Sequence, residues 1–257
     1  MSIPNQSISP IYTVATPIQY PDGSGHATGF FYSTGTQRDA PNEFERENTF
    51  LITNKHVVTN EDGLPIDDSI RILTRPSREN ISQIDYHDVS LHDDGEPNWV
   101  EHPSNDNIDV VAIKLDINVD FDKSGTHYLT KNNMKPDDIV LQPSQEAMVI
   151  GYPIRGEAPY LPISRNAVIA SPYGAPFQDL PCFAIDADMH SGTSGSPVLT
   201  RPSPAQQTET GPVIGGRQSL HFIGVHSATM QSDHDLQEGP LNLNIEWYAE
   251  LIKDMVE

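Results

Sequence analysis

Outside its C-terminal end this chain carries no segment of helical period. Short apolar runs rich in Val, Ile, Phe and Thr are instead cut apart by Gly, Pro, Asn and Asp along the whole length. Such runs with such punctuation read as β-strands between tight turns. One group comprises Gly29-Phe30-Phe31-Tyr32, Thr49-Phe50-Leu51-Ile52-Thr53, Ser69-Ile70-Arg71-Ile72-Leu73 and residues 108–115. A second comprises residues 147–152, 166–170, 182–186, 197–199 and 221–225. Helices do not alternate with them, which argues against a parallel βαβ sheet and for an all-β antiparallel barrel or sandwich. From Asn244 onward Ile245, Tyr248, Leu251, Ile252, Met255 and Val256 fall at three- and four-residue spacing. The expectation there is a C-terminal helix over residues 242–257, capped by Asn242 or Asn244.

Composition narrows the function classes. The 257 residues carry a formal charge of −21, so a reader of phosphate backbones, which needs clustered Lys and Arg, is disfavoured. No apolar run approaches the roughly 20 residues of a membrane helix. The N-terminal Met-Ser-Ile-Pro-Asn-Gln has neither a basic nor a continuous apolar stretch, so no secretory signal is expected. The single cysteine, Cys182, excludes an intrachain disulfide framework and reads as a small core residue, and the cytoplasm is the expected compartment. Two acidic stretches, residues 60–68 and 87–109, are expected as solvated loops, because neither has calcium-loop spacing. His87, His92, His102 and His234 lack metal-ligand spacing and read as surface histidines; no metal or cofactor is expected.

Chemistry concentrates in Gly192-Thr193-Ser194-Gly195-Ser196-Pro197. A serine between glycines suits a nucleophile, because the turn must present Oγ while neighbouring amides converge on one spot. Upstream, an apolar strand ends in Thr53-Asn54-Lys55-His56, and between the two Asp109 opens the apolar run Val110-Val111-Ala112-Ile113. A carboxylate at the edge of a core needs a partner, and an imidazole N–H is such a partner. An α/β-hydrolase would need the acid and the histidine after the serine; here the order is His, Asp, Ser.

These three motifs resemble those of the chymotrypsin-like (trypsin-like) serine proteases, in their compact bacterial branch without disulfides. Further matches are Gly25-His26-Ala27-Thr28-Gly29-Phe30, Ile150-Gly151-Tyr152-Pro153 and His221-Phe222-Ile223-Gly224-Val225-His226-Ser227, so the likeness spans roughly residues 22 to 256. The resemblance implies two antiparallel six-stranded β-barrels with the active site between them. The expected division is an N-terminal segment 1–21, a first barrel 22–130, a second barrel 131–241 and the helix 242–257. It implies a serine endopeptidase acting on polypeptides, with Ser194 as nucleophile, His56 as general base and Asp109 orienting His56; activity then rises with pH as His56 loses its proton. The amides of Gly192 and Ser194 would form the oxyanion hole.

Three residues are implied for the substrate pocket. Asp188, six residues before Ser194, would favour Lys or Arg if it formed the floor. His226 resembles the histidine with which glutamyl endopeptidases and picornaviral proteases accept Glu or Gln. The two could instead neutralise one another across the pocket, which would suit Gln. Ser227 matches a position that supports the triad acid and pairs with the substrate backbone. Thr193 departs from the digestive enzymes, which place Asp before the nucleophile to pair with a freshly cut N-terminus. Activation by N-terminal insertion is therefore not expected, and the protein is either permanently competent or ordered by a ligand or partner. The competing reading is a non-catalytic peptide- or partner-binding module on the same scaffold.

Overall fold

The computed structural model describes residues 9–23, 25–35, 49–117, 119–121, 123–154, 161–215, 220–231 and 240–257. A 3-10 turn, Pro10–Thr13, leads into β1 (Ala15–Gln19), β2 (His26–Ser33) and β3 (Thr49–Thr53). A one-turn helix α1 (Lys55–Val58) follows, then β4 (Ser69–Thr74), β5 (Asp85–Ser90), β6 (His92–Asp93), β7 (Glu96–Pro97) and β8 (Val111–Lys114). The second half holds β9 (Glu146–Gly151), β10 (Ile163–Ile169), β11 (Cys182–Asp186), β12 (Pro197–Thr200), β13 (Ala205–Thr208), β14 (Gly211–Ile214), β15 (Phe222–Gln231), β16 (Pro240–Tyr248) and α2 (Leu251–Val256).

Two antiparallel six-stranded units result. The second closes, in the order β10-β11-β16-β15-β12-β9. The first, β5-β4-β1-β2-β3-β8, stays open among the described residues, a half-barrel rather than a full one. Its edge strand β5 is mostly exposed apart from the buried Val89, and it carries Asp85 and Asp88, the latter paired with Arg71. Charge on an exposed edge blocks further pairing.

The unbroken apolar runs have a packing cause. Phe31, Leu51, Val111 and Ile113 fill the core of the first unit, whereas their neighbours Phe30, Tyr32, Ile52 and Ala112 face the second unit. A strand buried on both faces has no reason to alternate with polar residues. On the other side Val149, Val198 and Ile223 fill the barrel, and Ile150, Leu199, Phe222 and Val225 meet the first unit. Phe30 and Phe222 pack edge to face across the junction at 5.3 Å. At roughly 1.5–3 kcal/mol for each large side chain so buried, this shared core locks the two units together.

Three elements differ from the sequence expectation. Residues 242–248, expected in the helix, belong to β16, and α2 spans only Leu251–Val256 with Glu250 at the N-cap. The barrel has a slot between β11 and β15, and ladders on both sides of β16 outweigh a local apolar spacing. The acidic stretch 87–109 folds in part into β5, β6 and β7. His102, expected at the surface, has a side chain only 10% exposed, and its Nε2 lies 3.4 Å from Asp254 Oδ2 on α2. His234 lies outside the described residues. The first sheet takes in β1, ahead of residue 22. Among the described residues no helix is long and apolar enough to cross a membrane.

Candidate active site

β3 and β8 are hydrogen-bonded neighbours, with Thr53 opposite Val111. Their adjacent ends therefore carry α1, with His56, and the turn that holds Asp109. Asn54 links the two by donating from Nδ2 to the Asp109 carbonyl at 2.7 Å. The Asp109 carboxylate receives His56 Nδ1 on Oδ2 at 2.7 Å and the His56 backbone amide on Oδ1 at 2.9 Å. Two bonds to one histidine fix the ring's position and assign the proton to Nδ1. The pair is partly open to solvent, with side chains 49% and 23% exposed.

The second unit supplies the rest. Ser194 sits in the turn that enters β12, and β12 pairs with β15 through Pro197 and Val225. β15 is irregular between His226 and Ala228. A bulge there re-aims side chains, and Ser227 Oγ reaches across the junction to donate to Asp109 Oδ2 at 2.6 Å. Ser194 Oγ donates to the Ser227 carbonyl at 3.1 Å. His56, Ser194, Ser227, His226 and Asp188 all line one cleft of about 340 Å³.

The glycines on either side of Ser194 are required by geometry. Gly195 has φ +84°, and a Cβ there would stand 2.1 Å from the Thr28 carbonyl oxygen. Gly192 has φ +93°, and a Cβ would stand 2.6 Å from the Tyr152 carbonyl oxygen. Thr28 holds the turn from β2: its amide donates to the Ser194 carbonyl and its hydroxyl to the Gly192 carbonyl. Among the described residues the amides of Gly192 and Ser194 have no hydrogen-bond acceptor, so both N–H groups are available to a ligand. Thr193 is buried and bonds back to the His190 carbonyl through Oγ1 at 2.7 Å.

The two pocket candidates separate clearly. Asp188 is 71% exposed and held by Arg165, whose guanidinium bonds both its carboxylate and its carbonyl. It is not a free acid at the floor of the cleft. His226 is buried, and its Nδ1 lies 2.9 Å from Glu246 Oε1. Burial raises the Glu246 carboxyl above the ordinary range, against the opposing pull of His226. His226 and Asp188 thus do not neutralise each other; each has its own partner.

Sequence reading missed Glu246, Asn54, Thr28 and Arg165 as parts of this site. The residues Leu243-Asn244-Ile245-Glu246-Trp247 do alternate with period two, the signal that would have placed Glu246 on a strand. Among the described residues no group of three His, Cys, Asp or Glu side chains is disposed to hold a metal ion. A second cavity, about 660 Å³, lies beside the β13–β14 hairpin, away from this constellation.

Comparison with known proteins agrees with the fold. The crystal structure of Deg5 superposes with a TM-score of 0.52 at 15% identity, covering 94% of this chain and 86% of that one. The atomic-resolution structure of HBP gives 0.53 at 11% identity, covering 98% and 94%. Curated protein sequences yield no match. The family model of the trypsin-like peptidase domain matches residues 27–202, a span running from β2 through His56, Asp109 and Ser194 to the end of β12, and the chain belongs to that family.

Proposed function

We propose that the protein is a serine endopeptidase that cleaves polypeptides through an acyl-enzyme intermediate, with Ser194 as nucleophile, His56 as general base and acid, and Asp109 as the group that orients His56. The observation that carries this reading is the pair of hydrogen bonds that His56 donates to Asp109, from Nδ1 and from the backbone amide, in the cleft that also holds Ser194. With Nδ1 protonated, Nε2 is the basic nitrogen. Rotation of the Ser194 side chain away from the Ser227 carbonyl brings Oγ to it. Oγ attacks the scissile carbonyl, His56 takes the proton and delivers it to the leaving amine, and water then opens the ester by the reverse path. The unoccupied amides of Gly192 and Ser194 receive the oxyanion, each donor being worth roughly 3 kcal/mol in barrier. Ser227 keeps Asp109 aimed. Thr193, satisfied within its own turn, supports a catalytic loop that needs no ion pair with a new N-terminus.

A fluorophosphonate probe tests this: Ser194 should carry the label when the protein is digested and mapped. Absence of labelling in folded protein would favour the peptide-binding module instead.

A further inference from the structure

The two amides that would receive the oxyanion sit in a turn whose neighbouring groups are taken. The Thr193 amide bonds the His190 carbonyl, the Gly195 amide the His226 carbonyl and the Ser196 amide the Thr193 carbonyl. The carbonyls of Gly192 and Ser194 cross the junction to a single residue of the first unit, Thr28 on β2. Thr28 is wholly buried. Its hydroxyl accepts from the Tyr152 amide at 2.9 Å and donates to the Gly192 carbonyl at 2.7 Å. Its carbonyl takes the hydroxyl of Thr53, on the strand that leads into His56.

We propose that Thr28 is a positioning residue of the oxyanion hole: its hydroxyl, oriented by the Tyr152 amide, holds the Gly192 peptide so that the Gly192 N–H stays presented to the oxyanion beside Ser194. The inference rests on Ser194 being the nucleophile whose attack creates that oxyanion.

The two donors are not held alike. The Ser194 N–H belongs to a peptide whose carbonyl, that of Thr193, is tied by the Ser196 amide within the turn. The Gly192 N–H belongs to a peptide whose carbonyl, that of Ser191, has no hydrogen-bond partner among the described residues. Gly192 itself stands at φ +93°, where glycine turns freely and has no side chain to anchor it. Its direction is therefore fixed by the bond its carbonyl makes. A hydroxyl has a single hydrogen, and with the Tyr152 N–H seated on the oxygen that hydrogen has Gly192 as its acceptor. Valine would keep the shape of Thr28 and delete the hydroxyl. The Gly192 carbonyl would then stand unpaired in a buried place, and rotation about Gly192 is the least resisted way for it to find a partner. That rotation carries the N–H off its target. Substrate in its ground state has no oxyanion, so the loss falls on the transition state.

The test compares wild type, Thr28→Val and Thr28→Ser on a peptide that the wild type cuts, and on two inhibitors of that peptide's sequence. One is the aldehyde, which Ser194 converts to a tetrahedral adduct with an oxyanion. The other carries a methylene in place of the scissile carbonyl and forms none. Thr28→Val should lose roughly tenfold to a hundredfold in kcat with KM within about threefold, less than deletion of a whole donor. The aldehyde should weaken by the same factor, and the methylene peptide should bind unchanged. Thr28→Ser, which keeps the hydroxyl, should restore kcat to within about threefold of the wild type. Should Thr28→Val not fold, Thr28→Cys, whose thiol donates weakly, reads the same contrast between the two inhibitors. An unchanged kcat in Thr28→Val, an equal loss on both inhibitors, or Thr28→Ser as slow as Thr28→Val would each overturn the inference while leaving Ser194 as the nucleophile. A wild type that cuts no peptide and takes no fluorophosphonate label would overturn the endopeptidase reading, and the inference with it.

Discussion

Two histidines that line the cleft each face a carboxylate at nearly equal distance, 2.7 Å for His56–Asp109 and 2.9 Å for His226–Glu246, and the two pairs differ in burial. The first stands in an open cleft, its histidine 49% exposed. Its carboxylate is further stabilised by the His56 amide and the Ser227 hydroxyl. Three donors converge on that carboxylate and hold it against the ring. The second pair is sealed in the barrel, and among the described residues Glu246 has one donor only. Solvent and hydrogen bonds set the two apart: the open pair is reached from the cleft, the sealed pair is closed to water.

Of the two pairs, the open one should show the larger effects on substitution. Asp109→Asn leaves the geometry but presents the wrong tautomer, and peptide hydrolysis should fall on the order of 10⁴-fold, measured as kcat/KM. Near-normal turnover in that variant would erase the distinction between the pairs. Ser227→Ala, which removes one of the three donors to Asp109, should cost about tenfold, mostly in kcat.

The sealed pair should show itself in stability. The Glu246 carboxyl is raised by burial from an ordinary value of 4.5, so its proton is held more firmly in the folded state than in the unfolded one. Its contribution to stability is then present below that ordinary value and lost as pH rises through the raised folded value. Denaturant midpoints of the wild type should fall as pH is raised above the ordinary carboxyl value, and Glu246→Gln should flatten that slope. An identical slope in both would place the titration elsewhere. The smallest effect concerns Cys182, whose buried thiol is pushed up to about 11. Alkylation with iodoacetamide should be negligible in the native protein and complete in denaturant, with no loss of activity before unfolding.

Legibility in the sequence followed burial. β3, β11 and β12 were visible because their residues are apolar on both faces, and the turn around Ser194 because glycine alone fits against Thr28 and Tyr152. β1 was hidden by Pro17. The hydroxyl of Thr16 does the work of the ladder there, donating to the Leu73 carbonyl and accepting from the Leu73 amide. β16 was hidden because its buried residues include Asn244 and Glu246, polar groups that only a three-dimensional partner makes tolerable. The Arg165 bond to Asp188 spans 23 residues and left no local trace. Motif reading named the candidate reactive groups; it could not find what holds them.

If Ser194 is the nucleophile, removing its hydroxyl abolishes turnover. In cleavage of a proteome-derived peptide library the wild type should make a defined set of cuts, and Ser194→Ala should lose on the order of 10⁶-fold in rate at unchanged thermal stability. The same cuts at comparable rates in both proteins would contradict it.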